Sequence, residues 1–177
     1  MHYAIHLSDT FFVLGDKERV TEHGYEPAIL YVEGEIVVRS IFNICVKKEQ
    51  ILKVPKDKVV IKKEMEEAER DLEYAKRAFN EEDDKRAIRE GYYAIMHALR
   101  AALMKQGYRA KDTKCQKQAI DTLFVKKGKL DPSILIDFEF AVEIHDGVEI
   151  GYLYNREDSR ELITITERIL DAAKLVI

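Results

Sequence analysis

The run Arg89-Glu-Gly-Tyr-Tyr-Ala-Ile-Met-His-Ala-Leu-Arg-Ala-Ala-Leu103 decides how most of the chain folds. Ile88, Tyr92, Ile95, Leu99 and Leu103 recur every three or four residues, the period of a helix with one face turned to a core. Gly107 then stops the helix. Tyr93 and His97 stand four apart on it and share a face. With Arg89 and Arg100 they form a polar strip beside the apolar one. A phenol, an imidazole and guanidinium groups together suit a phosphate, and an imidazole also moves protons near neutral pH. The competing reading makes Tyr93 and His97 half-buried residues that hydrogen-bond across a bundle.

The same period extends to both sides. Met65, Ala68, Leu72, Ala75 and Phe79 predict a helix over 62–81, and the acidic cluster Glu81-Glu-Asp-Asp84 caps the next one. Ile120, Leu123 and Phe124 predict a third helix over 113–127, ending at Gly128. Asp131-Pro132 opens a fourth, with Leu135, Phe138 and Val142 and a continuation through Val148 and Tyr152. Asp158 or Ser159 caps a fifth, with Leu162, Ile165, Ile169, Ala172 and Val176 on one face. Five helices joined by short links predict an antiparallel bundle. Residues 1–61 read differently. Phe11 to Leu14 end at the turn signal Gly15-Asp16. Ala28–Val32 and Glu35–Ile41 flank Glu33-Gly34 as a hairpin. Ile51–Val54 and Val59–Ile61 are further short runs about Pro55. The expectation is an α+β protein: a small N-terminal β-rich module, 1–61, with no helix, followed by a five-helix bundle, 62–177.

The 177 residues are 46% apolar and 35% charged, with a net charge of −4. That excludes a disordered chain and shows no overall cationic excess for nucleic acid. No run reaches the ~20 apolar residues of a membrane span, and Met1 to Thr10 lack the pattern of a secretory leader. Cys45 and Cys115 fit no C-x-x-C spacing and are expected to stay reduced, in a cytoplasmic protein. No Gly-rich phosphate loop or G-x-S-x-G is present, and no cofactor is expected.

Charge is unevenly spread. Residues 100–130 net +7 and residues 131–177 net −7. The basic stretch reads as a phosphate-binding face, or as a solvated face that pairs with the acidic helices. Its most suggestive piece is the loop Gln106–Lys111, where Tyr108 stands among Arg109 and Lys111, as single-stranded RNA binding requires. In the fourth helix Gly147 and Gly151 lie four apart. They either admit another helix backbone, across a dimer interface, or break the helix at Gly147. Glu143, His145, Asp146 and Glu149 stand close in sequence there, but a bridging metal site in a bundle needs Glu-x-x-His on two helices, which is absent, so no metal is expected.

The segment Gly91-Tyr-Tyr-Ala-Ile-Met-His-Ala-Leu-Arg-Ala-Ala-Leu-Met-Lys-Gln-Gly-Tyr108 resembles the second helix of HEPN domains, the higher-eukaryote and prokaryote nucleotide-binding helical domains. Leu123-Phe-Val-Lys-Lys-Gly-Lys-Leu-Asp131 is similar to that family's link between helices three and four. The resemblance covers about 63–177. It implies an antiparallel bundle that commonly dimerises. Many members are metal-independent RNases, often toxins paired with a minimal nucleotidyltransferase, and their signature is an Arg, four to six residues, then a His. Here that register before His145 places Phe138, Glu139 or Phe140 where the Arg belongs, and seven residues separate Arg89 from His97. The family's His-Lys at helix three is replaced by Asp112-Thr-Lys-Cys115.

The resulting expectation is a homodimeric nucleotide-, RNA- or partner-binding protein without RNase activity, contacting its ligand through Arg89, Tyr93, His97, Arg100, Arg109 and Lys111. One alternative is a metal-independent RNase in which His97 and His145 transfer protons while Arg89 or Arg100 holds the phosphate. Another is an antitoxin or scaffold acting through a protein partner.

Overall fold

The computed structural model describes residues 4–7, 10–13, 28–32, 35–151 and 153–177. Strand β1 (Ala4–Leu7) pairs antiparallel with β2 (Thr10–Val13), and β3 (Ala28–Val32) with β4 (Glu35–Arg39). The predicted turns at Gly15-Asp16 and Glu33-Gly34 lie outside the described residues. There follow α1 (Ile41–Lys47), β5 (Ile51–Lys53), α2 (Lys58–Asn80), α3 (Asp84–Gln106), β6 (Tyr108–Ala110), α4 (Thr113–Ile120), α5 (Ser133–Gly151) and α6 (Arg156–Val176). The described part of the chain is therefore mostly helical, with six α-helices: α1 in the front segment and α2 to α6 from Lys58 onward.

Helix α3 organises the bundle. Asp83 caps it by accepting from the Arg86 amide at 3.1 Å. Gly107 ends it in the left-handed region, at φ 86°, where a side chain is disfavoured. Its predicted stripe is buried: Ile88, Ile95, Leu99 and Leu103 are at most 1% exposed, and burying each stabilises the fold by roughly 1.5–3 kcal/mol. Ala94, Ala98 and Ala102 fill the rest of the inner face, so α2 and α6 pack closely along α3.

Four sequence expectations need correction. First, the front segment contains a helix, α1. Ser40 caps it, accepting from the Asn43 amide at 3.3 Å, and it buries Phe42 and Cys45. Two turns are too short for a period to stand out. Second, Val59–Ile61 begin α2 instead of forming a strand. Asp57 accepts from the amides of Val59 and Val60 at 2.8 and 3.3 Å, and this cap outweighs the modest helix penalty of β-branched residues. Ile61 is then buried against Ala101 and Met104. Third, 108–110 form strand β6, antiparallel to β5, with Leu52 opposite Arg109 and Lys53 opposite Tyr108. Fourth, the cysteines are joined in a disulfide, Cys45–Cys115, with Cα atoms 5.8 Å apart. They stand 70 positions apart in sequence, so only the fold reveals that they meet. Phe42, Cys45 and Ile51 share one hydrophobic core with the long helices.

The third predicted helix divides. After α4, residues Asp121–Val125 form a π turn, closed by the Lys126 amide donating to the Asp121 carbonyl at 2.8 Å, which buries Leu123 and Phe124. Helix α5 runs unbroken through Gly147. The space at Gly147 and Gly151 is used by the chain's own exit from the helix: the Leu153 amide donates to the Gly147 carbonyl at 3.1 Å, and a Cβ on Gly147 would stand 2.9 Å from the Leu153 carbonyl oxygen. Helix α6 starts earlier than expected. Asn155 caps it in a capping box with Asp158, while Ser159 is fully buried and donates to Asp84 at 2.8 Å.

Candidate functional site

Arg89 projects from the outer side of α3 towards α5. Its Nε and Nη2 donate to the two carboxylate oxygens of Glu149, at 2.5 and 3.0 Å. Such a fork-on-carboxylate contact fixes both planes, and the guanidinium holds the Glu149 carboxyl below the usual carboxylate range. The pair borders an open cleft of about 530 Å³. Tyr93, 47% exposed, lines it, and so do the cations Lys85 and Arg86 and the acids Asp83 and Glu90. Arg86 donates to Glu90 at 3.4 Å.

His145 stands behind this cleft. Its ring stacks on Tyr92, with centroids 3.9 Å apart and planes 18° from parallel, and meets the Tyr93 ring edge-on at 6.1 Å. Nδ1 lies 3.6 Å from Asp146 and Nε2 4.0 Å from Glu149, both beyond a hydrogen bond. Both ring nitrogens are buried and have no hydrogen-bond partner among the described residues. Burial, reinforced by the Asp146 charge, pushes the Tyr92 phenol up.

His97 and Arg100 belong to a different assembly, between α3 and α2. His97 Nδ1 and Arg100 Nη1 both donate to Glu64, at 2.7 and 3.0 Å. His97 Nε2 faces Asp71 at 3.8 Å. Burial pushes the Asp71 carboxyl up, against the pull of His97. All four side chains are less than a third exposed. His97 and Arg100 thus bond across the bundle, while Tyr93 on the same strip faces solvent.

Residues 61–176 match the family model of the HEPN domain. The chain belongs to the HEPN family. No curated protein matches it.

Within this HEPN domain the six sequence-selected contact residues separate into three places. Arg89 and Tyr93 share the α3–α5 cleft, His97 and Arg100 share Glu64, and Arg109 lies in the β5–β6 ribbon with Lys111 just past its end. No hydrogen bond or ring contact joins His97 to His145 among the described residues. Arg89 and His145, by contrast, approach the same carboxylate from two helices. Tyr108 is half-buried, with its ring edge-on to Phe42 at 5.5 Å. Sequence reasoning missed Glu149, Glu64 and Asp71 as partners of the HEPN strip, because pairings across helices leave no spacing signal. No helix among the described residues is long and apolar enough to cross a membrane.

Proposed function

We propose that this HEPN protein binds RNA or a nucleotide in the α3–α5 cleft and does not cleave it. The observation that carries the reading is the cleft's composition: the Arg89 guanidinium and the exposed Tyr93 ring face the same open space. A guanidinium suits a phosphate and an aromatic ring suits a base. The Arg-x4–6-His signature is missing from the sequence, which argues against cleavage. Equilibrium binding of a labelled mixed-sequence RNA tests the reading. Affinity is expected to fall with salt and to drop about tenfold or more in Arg89→Ala and in Tyr93→Ala, since stacking is worth roughly 1–3 kcal/mol per base.

The protein acts as a homodimer in this reading. Ile136, Phe140 and Ile150 on α5 are 68%, 38% and 86% exposed, and their spacing of four and ten residues sets them along one stripe. Sedimentation velocity of the wild type and of Ile150→Glu tests this, with dissociation expected in the variant.

One observation favours a second reading, a metal-independent RNase. Arg89 and His145 converge on Glu149 from opposite helices. A phosphate in place of the Glu149 carboxylate would meet a guanidinium and an imidazole together. Incubation with RNA in the presence of chelator separates the readings: cleavage lost in His145→Ala supports the second.

A further inference from the structure

The arginines of the bundle are occupied: Arg86, Arg89, Arg100, Arg156 and Arg168 each hold a carboxylate. Several exposed cations elsewhere are not, and six of them matter here. Lys48, Lys53, Lys56, Lys105, Arg109 and Lys111 have no ion-pair partner among the described residues. The backbone gathers these six at one corner. Lys53 lies opposite Tyr108 in the β5–β6 register, next to Arg109. The Lys111 amide donates to Gln50, two residues from Lys48, at 2.8 Å. The Val54 amide donates to Gly107 at 2.9 Å, and the Lys56 stem lies over that same glycine, two residues past Lys105. Of the nearby acids, Asp57 and Asp112 are engaged as helix caps, and the exposed Glu49 stands beside Lys48.

We propose that this corner is an RNA-binding surface separate from the α3–α5 cleft, and that the segment preceding the HEPN match completes it. Lys48, Lys53 and Lys56 lie outside residues 61–176. That segment therefore supplies half of the six cations. The proposal rests on the reading that this protein handles RNA.

Geometry selects a single strand. Arg109 shares a face of the ribbon with its cross-strand partner Leu52, and Lys111 follows just past the strand's end. Lys53 leaves from the opposite face at the ribbon's end, beside Tyr108. A flexible single strand bends round that end and reaches both sets of cations. A duplex, stiff over many base pairs, presents phosphates to one side only. An anionic membrane is flat as well, and its interface takes up apolar side chains. The ribbon, α1 and α4 expose no large apolar side chain, and beside the corner only Val59 and Val60 at the start of α2 do, which is little for an interface to take up.

The test is fluorescence anisotropy of a labelled mixed-sequence single-stranded RNA with the full chain, across a salt series. Three proteins are compared: wild type, Lys53→Glu/Lys56→Glu, and Arg89→Ala/Tyr93→Ala. Thermal melts check that each is folded. The lysine variant is expected to bind at least tenfold more weakly. Its log Kd against log salt should be shallower by about 1.4, the slope of two lost phosphate contacts on a single strand. Lys48→Glu/Lys111→Glu is an independent variant expected to behave alike. Duplex RNA and phosphatidylserine vesicles should bind the wild type more weakly than the single strand. Wild-type affinity and slope in both lysine variants would overturn the proposal, and so would equal or tighter binding of duplex or vesicles. If only the Arg89/Tyr93 variant loses binding, the cleft stands and the corner falls. If only the lysine variants lose it, the corner stands and the cleft falls. A wild type that binds no RNA overturns both.

Discussion

Glu149 takes the Nε–Nη2 edge of Arg89, at 2.5 and 3.0 Å. In the proposed reading, a phosphate entering the α3–α5 cleft competes with this carboxylate for Arg89.

Removing that charge should open the site. Glu149→Gln is expected to raise RNA affinity several-fold at neutral pH, measured by anisotropy. The pH dependence follows from the lowered Glu149 carboxyl. Its pairing with Arg89 is fully present above the unfolded value near 4.5 and is lost only as pH falls through the depressed folded value. Wild type and Glu149→Gln should therefore differ at pH 7 and converge in acid. Unchanged affinity in Glu149→Gln at pH 7 would show that the carboxylate does not guard the cleft.

Asp71 has the opposite sign. Burial raises its carboxyl, so its favourable contribution is present below the unfolded value and is lost as pH rises through the folded one. At neutral pH the ionised group costs stability. Asp71→Asn is expected to melt at or above the wild-type temperature at pH 7, with the advantage gone near pH 3. A lower melting temperature for Asp71→Asn at pH 7 would mean that attraction to His97 outweighs desolvation.

Gly147 and Gly151 should respond differently to alanine. A Cβ on Gly147 would meet the Leu153 backbone oxygen at 2.9 Å, which cannot move without breaking the turn after α5. The clash, about 1–3 kcal/mol, outweighs the ~1 kcal/mol that alanine gains in a helix. At Gly151 the nearest atom is the Leu153 Cγ, at 3.2 Å on a flexible side chain. Urea denaturation should find Gly147→Ala destabilised and Gly151→Ala close to wild type.

The disulfide closes a long loop, with a sequence separation of 70. Its loss should lower unfolding free energy by about 2–4 kcal/mol. Cys45→Ser/Cys115→Ser, compared with the oxidised wild type in urea, tests this; identical midpoints would contradict it.

The long helices were legible because each carries its own period. The α3 stripe from Ile88 to Leu103 is buried as its spacing requires, and Gly107 stops it. What could not be read depends on distant neighbours. The ring contact of Tyr108 with Phe42 comes from a helix more than sixty residues earlier. Cys45 and Cys115 had no local pattern. Val59 and Val60 favoured a strand until Asp57 capped them. In the candidate site the residue types were visible on one helix face, but their partners Glu149 and Glu64 come from other helices. That Lys53 lies opposite Tyr108, next to Arg109, in the β5–β6 ribbon was hidden for the same reason.

The central claim is that the cleft binds RNA without cutting it. The most direct measurement incubates purified protein with a labelled mixed RNA pool in excess chelator and follows bound fraction and RNA length together. The account predicts salt-sensitive binding and full-length RNA throughout. Fragments that accumulate with wild type and vanish with a folded His145→Ala variant would contradict it.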